Sequence, residues 1–487
     1  MVPKRALYPI PYALCSLCHL GLLCAMLSAL CIFVLSGCQA KFFQVRAPLE
    51  EEGEVYLYIQ PFPQEANRLK FKIDGISAIR DDGAEFPFSL SLSDLKGRDM
   101  RRQRLLGSVR LPPGSYSGLS FKIKEAFLKV EEGEAALLVP GTPVKTNFLF
   151  HVSRKRASVI SLIFKYPESV RQGFSFSPVF SIFIPPKPIT SVVGFVSNSG
   201  SNNITVFDKM SGQVAAVIAT GRRPTGMAID QRLRKAYVVL SGDDRIEVVD
   251  VTAVEVIDKI NLSIGDHPQE MAITPDGKFL VTANTGSNTA SIIDLFSLTE
   301  VSRVRVGNGP NSVLMDPSGR RAYVFNTLSN TISVIDMGAK ALVTNISTDP
   351  SPLRGQFNRR GDRFYVINEI YAYLTVVDPF SLSILKRASV SGGLNAIKVD
   401  TNTDLIYLGS MRNPVVDIYN PSTYFPIDYI RAGAGIAYMT IDGEERKFYM
   451  VSPEKNSLIT SDLVSKRVLS EMDVGERPYW VTMMGER

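Results

Sequence analysis

Residues that could perform acid–base chemistry or hold a metal ion are scarce in this chain of 487 residues. Its three histidines are His19, His151 and His267, and His19 lies in an apolar N-terminal segment that export would remove. Two histidines are too few for a multi-histidine metal site and a poor basis for haem ligation. The sequence also contains no GxSxG nucleophile motif and no glycine-rich phosphate loop. We therefore predict no metal site and no cofactor.

A recurring aspartate is the one acidic pattern that suggests a shared site. Seven such side chains on one ring could form a circle of carboxylates. We favour the alternative that each side chain caps the turn after its strand, because Asx side chains accept hydrogen bonds from the backbone two residues on. The seven residues are Asp208, Asp250, Asp294, Asp336, Asp378, Asn420 and Asp462.

These residues belong to a 42-residue unit that repeats seven times from about residue 194 to the C-terminus. Two other positions recur with the same spacing. In all three series one step measures 44 residues, so a single two-residue insertion between Asp250 and Pro268 explains it. The first of these positions holds Phe195, Tyr237, Val281, Tyr323, Tyr365, Tyr407 and Tyr449. The second holds Pro224, Pro268, Pro310, Pro352, Leu394, Ile436 and Pro478, and is called the proline register below.

Such a period is typical of a β-propeller. Four strands of about six residues, with their turns, add up to roughly this length. An α-solenoid has similar periods, but segments such as TISVID (331–336) are short and β-branched, without helical spacing. The sequence therefore predicts an all-β chain with a seven-bladed propeller at residues 192–487. Counting blades from the proline register leaves strand 478–484 over, so we expect a composite last blade in which it pairs beside residues 194–198.

The repeat also resembles a known family. The segments YVFN at Tyr323, YVIN at Tyr365 and VTAN at Val281 each precede a Ser/Thr-rich turn and a VID-like end. They are similar to the YVTN family of β-propeller repeats, whereas YLGS at Tyr407 and YMVS at Tyr449 depart from the pattern by losing the Asn. The resemblance implies a propeller that binds other molecules outside the cytoplasm, without a shared catalytic residue.

Residues 1–37 are predicted to be a signal peptide. Lys4 and Arg5 precede an almost wholly apolar segment, which ends in LSGC at Cys38. This sequence resembles the lipobox of bacterial lipoproteins, which implies lipid attachment at Cys38 and anchoring in a membrane. The other four cysteines lie upstream. An uncleaved membrane anchor is the alternative, because the apolar segment is long enough to span a bilayer. Gln39 implies an outer-membrane lipoprotein of the bacterial cell envelope.

Residues 38–184 are predicted to form an antiparallel β-sandwich, and residues 185–191 a proline-rich linker. Turn signals separate the predicted strands. LPPGSYSGLSFKIKEAFLKV (111–130) and TNFLF (146–150) also resemble an uncharacterised sandwich domain of bacterial lipoproteins. The predicted strands begin at Glu54, Lys70, Ser117, Lys145 and Ser158.

The charge distribution indicates few partners. The net charge is +6, and the densest basic run is KGRDMRRQR at 96–104. This run could contact acidic lipid headgroups or a polyanion, or it could be a solvated loop, which we favour. An exported chain without aromatic residues in that run is not expected to bind nucleic acid.

Two classes of function remain open from the sequence. One is a lipoprotein whose propeller face docks a ligand or a protein. The other is a propeller enzyme such as a lactonase, for which Glu476, Asp266 and His267 could supply the catalytic groups.

In the first case, connections between blades rim the axial channel, and three consecutive connections carry basic residues. Guanidinium groups at a concave mouth favour carboxylate or phosphate groups of a small molecule, glycan or peptide terminus. The alternative is that these are solvated loop residues, partly neutralised by Asp266 and Glu476. The predicted binding residues are Arg222, Arg223, His267 and Arg477.

Overall fold

The computed structural model describes residues 46–131 and 133–486. The predicted signal peptide and Cys38 lie outside these residues. The described residues fall within one compact unit that begins at Arg46. In this part of the chain no helix is both long and apolar enough to cross a bilayer.

The segment before the repeats forms two β-sheets, called the two-sheet region below. One sheet has the strand order β13-β10-β1-β6-β4; the other has the order β3-β2-β7-β8, with β5 paired to β2 and β9 to β7. The strands are β1 (Gly53–Ile59), β2 (Leu69–Arg80), β3 (Glu85–Pro87), β4 (Ser89–Leu90), β5 (Asp94–Lys96), β6 (Arg104–Leu111), β7 (Gly114–Val130), β8 (Gly133–Ala136), β9 (Val144–Val152), β10 (Ala157–Phe164), β11 (Val170–Arg171), β12 (Ser175–Phe176) and β13 (Phe180–Phe183). Helix α1 spans Tyr166–Ser169, and 3-10 turns span Gln64–Arg68, Gly97–Asp99 and Thr190–Val192.

One hydrophobic core joins the two sheets. Leu57 of β1 and Phe164 of β10 pack in the same buried cluster as Phe71 of β2 and Phe121 of β7. The five predicted strand segments correspond to β1, β2, β7, β9 and β10. The named strands of this region pair antiparallel, as predicted, except that β1 pairs with β10 in parallel. Parallel neighbours need a long crossover, and the chain from β1 to β10 supplies one by passing through the second sheet.

The repeats form seven four-stranded antiparallel sheets between residues 193 and 483. Each is one blade, as the 42-residue period predicts. Blade 1 is β17 (Pro224–Asp230), β18 (Lys235–Leu240), β19 (Arg245–Asp250) and β20 (Glu255–Asn261). Blade 2 is β21 (Pro268–Ile273), β22 (Phe279–Asn284), β23 (Thr289–Asp294) and β24 (Thr299–Arg305). Blade 3 is β25 (Pro310–Met315), β26 (Arg321–Asn326), β27 (Thr331–Asp336) and β28 (Ala341–Ser347). Blade 4 is β29 (Pro352–Phe357), β30 (Phe364–Asn368), β31 (Tyr373–Asp378) and β32 (Ser383–Ser389). Blade 5 is β33 (Leu394–Val399), β34 (Ile406–Ser410), β35 (Val415–Tyr419) and β36 (Pro426–Arg431). Blade 6 is β37 (Tyr438–Asp442), β38 (Lys447–Ser452), β39 (Ser457–Asp462) and β40 (Val468–Asp473).

The seventh blade combines both ends of the repeat region. Its strands are β14 (Val193–Asn198), β15 (Asn203–Asp208), β16 (Gln213–Ala219) and β41 (Pro478–Met483). The last strand, β41, pairs antiparallel with β14, for example Val196 with Val481. This is the pairing that the leftover strand predicts, and it removes two free sheet edges from the ring.

The recurring residues are structural. The recurring position that begins with Phe195 and is mostly aromatic is buried between neighbouring blades. Its members Tyr237, Tyr323 and Tyr365 are fully buried. Each recurring aspartate accepts hydrogen bonds from the turn after its strand. Asp250 Oδ1, for instance, accepts the amides of Thr252 and Ala253, both at 2.7 Å. The prediction of turn caps is therefore confirmed, and a functional ring of carboxylates is not needed to explain them.

A second recurring contact links consecutive blades. An Asn or Asp in the turn between the second and third strands of one blade accepts the amide just before the next proline-register residue. Asn288 Oδ1 accepts the Gly309 amide at 2.9 Å, and Asn330 Oδ1 accepts the Ser351 amide at 3.0 Å. Asn202, Asp244 and Asn456 make the same contact. All five have a positive φ, which Asn and Asp tolerate better than other side chains. The equivalent positions in blades 4 and 5 hold Ala372 and Pro414, whose side chains cannot accept a hydrogen bond.

The two-sheet region packs directly against the propeller. Tyr56 and Tyr58 of β1 share a buried cluster with Val217 of blade 7 and Met472 of blade 6. The Tyr56 hydroxyl accepts a hydrogen bond from Asn203 Nδ2 at 2.6 Å. These contacts join the two-sheet region and the propeller into one unit. A proline-rich linker does not by itself predict such packing.

The basic run at 96–104 contributes to this interface. Arg102 and Arg104 each pair with the Asp473 carboxylate at 2.8 Å. Gln103 Oε1 accepts the Val214 amide at 2.8 Å. The end of the run is therefore neither a solvated loop nor a free basic patch.

Candidate functional site

The first strand of each blade faces the propeller axis. Two residues after each proline-register position lies a residue that is buried or half-buried near the axis. Two of these residues carry opposite charges on different blades, which brings an ion pair into the channel. The seven residues are Gly226, Glu270, Ser312, Arg354, Ala396, Tyr438 and Trp480.

Arg354 of blade 4 fills the centre of the channel. Its guanidinium binds the Glu270 carboxylate of blade 2 through Nε at 2.9 Å and Nη2 at 2.5 Å. Its Nη1 donates to the carbonyl oxygens of Asn395 in blade 5 at 2.5 Å and Ala437 next to blade 6 at 2.9 Å. Tyr479 of blade 7 donates its hydroxyl to the same carboxylate at 3.0 Å. We call Glu270, Arg354 and Tyr479, with the rings of Tyr438 and Trp480, the axial cluster.

Aromatic rings complete the axial cluster. The rings of Tyr438 and Trp480 stack with centroids 3.6 Å apart, and Arg354 lies 5.4 Å and 5.7 Å from their centroids. Burial alone would lower the pKa of Arg354, but the charge and hydrogen bond of Glu270, together with the neighbouring Tyr479 and Tyr438, outweigh it, and the pKa is raised. For Tyr479, burial has the opposite effect and raises the pKa. The cluster therefore keeps its guanidinium charged and its phenol neutral at any physiological pH.

A cavity of about 340 Å³ lies above the axial cluster. Its floor includes Arg354 and Tyr479, and its walls come from the turns between second and third strands and from the first strands. The walls are mixed, with amide, hydroxyl and charged side chains beside apolar ones. A volume of this size suits a small ligand. The lining residues are Ser199, Asn311, Thr327, Leu353, Arg354, Glu369, Asn395, Met411, Ala437, Pro453, Arg477, Pro478 and Tyr479.

Of the four predicted binding residues, Arg477 lines this cavity. Arg222, Arg223 and His267 lie on the next two connections of the ring, at the same end of the propeller, but the described cavity wall does not include them. Arg222 pairs with Asp243 at 2.7 Å. His267 Nδ1 lies 3.2 Å from the carbonyl oxygen of Ser241. Binding by these four residues stays a prediction.

One of the residues considered for a lactonase, Asp266, is already engaged by an arginine. Asp266 is buried and forms two hydrogen bonds with Arg303, at 2.7 Å and 2.9 Å. Burial would raise the pKa of Asp266, but the hydrogen bonds and charge of Arg303, together with hydrogen bonds from Ser287 and Ser263, hold the pKa below its ordinary value. Asp266 is thus an ion-pair partner. Among the described residues no group of three His, Cys, Asp or Glu side chains is placed to hold a metal ion.

The axial cluster was missed at the level of sequence, although a signal for it exists. The segments PQEMAI (268–273) and PLRGQF (352–357) place a charged residue at the same position of an otherwise largely uncharged inner strand. Two opposite charges in equivalent positions of a closed ring can meet across its axis. Comparing the residues that lie two positions after each proline-register residue would have identified Glu270 and Arg354.

Known proteins were compared with the chain. Residues 195–401 match the family model of the YNCE-like beta-propeller. A search of curated protein sequences found no match.

Several solved structures share the fold. A functionally unknown protein from Desulfotomaculum acetoxidans aligns over 60% of this chain and 99% of its own, with 15% identity and a TM-score of 0.53. Hydrazine synthase of Kuenenia stuttgartiensis aligns over 57% of this chain and 96% of its own, with 18% identity and a TM-score of 0.51. The dihydro-heme d1 dehydrogenase NirN aligns over 62% of this chain and 78% of its own, with 14% identity and a TM-score of 0.50. At these identities the likeness concerns the fold alone. The seven blades show that this chain contains a β-propeller, and the matched segment supports the YVTN type.

Proposed function

We propose that this protein is a lipid-anchored binding protein of the bacterial cell envelope, whose ligand docks in the axial cavity. The anchor would be Cys38, since LSGC follows a basic and then an apolar segment. Two or more acyl chains suffice for stable anchoring, and Gln39 favours the outer membrane.

The observation that carries the proposal is the closed floor of the axial cavity. Because Arg354 donates to Glu270 and to two carbonyl oxygens on other blades, it bridges the inner strands at the axis, and it lines the cavity together with Tyr479. Propeller channels without such a floor would let a ligand pass, whereas a pocket retains it.

The walls indicate the kind of ligand. Asn311, Asn395 and Arg477 line the cavity, and Arg477 lies on the side next to Arg222, Arg223 and His267. Guanidinium groups prefer carboxylate and phosphate because their donors match these oxygens in pairs. An anionic small molecule, or an anionic glycan or peptide terminus, fits this side of the cavity.

The proposal can be tested by native mass spectrometry of the lipoprotein extracted from its membrane in mild detergent. We expect an adduct of constant mass on the wild-type protein and its loss in the double variant Arg223→Ala, Arg477→Ala. The matched control is Arg305→Ala, an exposed arginine at the end of an outer strand, which should keep the adduct. An adduct that survives in the double variant would show that the ligand does not bind on this side.

A further inference from the structure

A second cavity lies between the two-sheet region and the propeller. It encloses about 210 Å³. Arg46, Ser91, Arg104 and Ser108 line it from the two-sheet region, and Lys455 and Glu476 are among the residues that line it from the propeller. Cavities at such boundaries are preferred places for small ligands.

The carboxylate at the back of this cavity is already neutralised. Asp473 pairs with Arg102 and Arg104, each at 2.8 Å, and it also accepts the Leu105 amide at 3.1 Å. Arg46 pairs with the buried Glu54 at 2.6 Å. Arg102 also pairs with the Glu471 carboxylate at 3.5 Å, so each of these three guanidinium groups is matched by a carboxylate.

Several donors around the cavity have no acceptor within the described part of the chain. Arg104 uses its Nε for Asp473, while no described residue accepts a hydrogen bond from its two Nη groups. The same is true of the Lys455 ammonium and of the hydroxyls of Ser91 and Ser108. The cavity thus gathers cationic and hydroxyl donors from both parts of the molecule. The carboxylates of Glu476 and of Asp473, the latter already paired with Arg104, also line it.

We propose that this cavity binds a phosphate group, held by Arg104 and Lys455 from opposite sides and by the hydroxyls of Ser91 and Ser108. A tetrahedral oxyanion offers several acceptors to such a set, and charge-assisted hydrogen bonds are the stronger ones. The phosphate can be free or can belong to a lipid headgroup. This second source rests on the lipid anchor proposed at Cys38, since the eight residue steps from Cys38 to Arg46 span about 29 Å at most. The site is independent of the axial cavity.

The test is thermal unfolding of the purified full-length lipoprotein in buffer of constant ionic strength, titrated with sodium phosphate against sodium chloride. We expect the unfolding midpoint to rise with phosphate concentration and not with chloride, because a ligand that binds only the folded state stabilises it by mass action. Lys455→Gln should weaken the apparent phosphate affinity about tenfold, the effect of removing one close charge. Glu476→Gln should strengthen it, since it removes the opposing charge.

Lys259→Gln is the matched control, an exposed lysine on the outer strand of blade 1, and should leave the phosphate response unchanged. Titration with glycerophosphoglycerol, the headgroup of phosphatidylglycerol, distinguishes the two sources of phosphate. If it raises the unfolding midpoint more than phosphate does, the site binds a lipid headgroup. If it raises the midpoint less, the site binds free phosphate. Equal responses to phosphate and chloride in the wild-type protein, or an unchanged phosphate response in Lys455→Gln, would overturn the proposal.

Discussion

Arg354 is the residue on which the centre of the propeller depends. It joins blade 4 to Glu270 of blade 2 and to Tyr479 of blade 7. It also binds carbonyl oxygens at the inner strands of blades 5 and 6. The connections into those two blades follow Ala372 and Pro414, which cannot make the interblade hydrogen bond. Arg354 therefore supplies hydrogen bonds where the repeat has lost its own.

A double-mutant cycle can measure this pair. Glu270→Gln or Arg354→Met alone should lower the free energy of unfolding by about 3–5 kcal/mol, because each leaves a buried partner uncompensated. The double variant Glu270→Gln, Arg354→Met should lose less than the sum of the two, which urea denaturation can determine. Additive losses would mean that the two side chains act independently.

Tyr237 gives a prediction about alkaline pH. Its side chain is fully buried, and its hydroxyl has no hydrogen-bond partner among the described residues. Burial raises the pKa of Tyr237 from 10.0 to about 12. Above pH 10 the unfolded state therefore releases a proton that the folded state keeps, so stability is intact below pH 10 and falls between pH 10 and 12.

Tyr237→Phe removes this ionisable group without changing the packing of the ring. We expect a free energy of unfolding at pH 7 that is unchanged or slightly higher, and a smaller loss of stability at pH 11 than in the wild-type protein. Thermal unfolding followed by circular dichroism at both pH values checks this. An equal loss at pH 11 in the variant would assign the alkaline effect to the other buried tyrosines.

Single strands and turns account for how the ring is closed. β41 is held by β14 and by contacts of the residues after it, since Lys209 Nζ donates to the carbonyl oxygen of Met484 at 2.7 Å. Lys209 also pairs with Asp442 at 2.6 Å, and both side chains are fully buried. The C-terminal strand is thus part of the core.

Deleting residues 478–487 should destabilise the whole propeller. The deletion exposes the inner edge of β14 and removes Trp480 and Tyr479 from the axial cluster. We expect a large fall in the thermal midpoint or loss of soluble protein. Deletion of residues 484–487 alone keeps β41 and should have a smaller effect. Unchanged melting of the longer deletion would contradict the composite blade.

The strands and turns were largely predictable from sequence, because each repeated position has a local physical reason. Asp250 caps its turn, and Tyr237 fills the space between blades, whatever the rest of the chain does. Contacts between distant blades were not predictable in this way. The meeting of Glu270 and Arg354 depends on ring closure, and the parallel pairing of β1 with β10 depends on which neighbour β10 finds in space.

On the scale of the whole molecule, the two-sheet region and the propeller share a core. Tyr58 donates its hydroxyl to the Asp473 carbonyl oxygen at 3.3 Å, and Arg156 pairs with Glu255 of blade 1 at 2.9 Å. The sequence predicted separate domains joined by a linker. The position of residues such as Arg102 in the interface could not be inferred from a charge run, because its partner Glu471 lies 369 residues away.

The proposed location of the molecule makes a chemical prediction at Cys38. Mass spectrometry of the N-terminal peptide from isolated membranes should show acyl mass on Cys38, because LSGC precedes the predicted mature chain. Cys38→Ser should abolish the acyl mass and release the protein from membranes. A purified protein that retains residues 1–36 would contradict lipidation and support the uncleaved anchor.

The most direct test of the account is a crystal structure of the lipoprotein purified from its own membrane, without added ligand. We expect electron density for a small molecule in the axial cavity, above Arg354 and beside Arg477, with an anionic group toward Arg477. Density for a bound molecule at another surface, with ordered water alone above the axial cluster, would contradict this expectation.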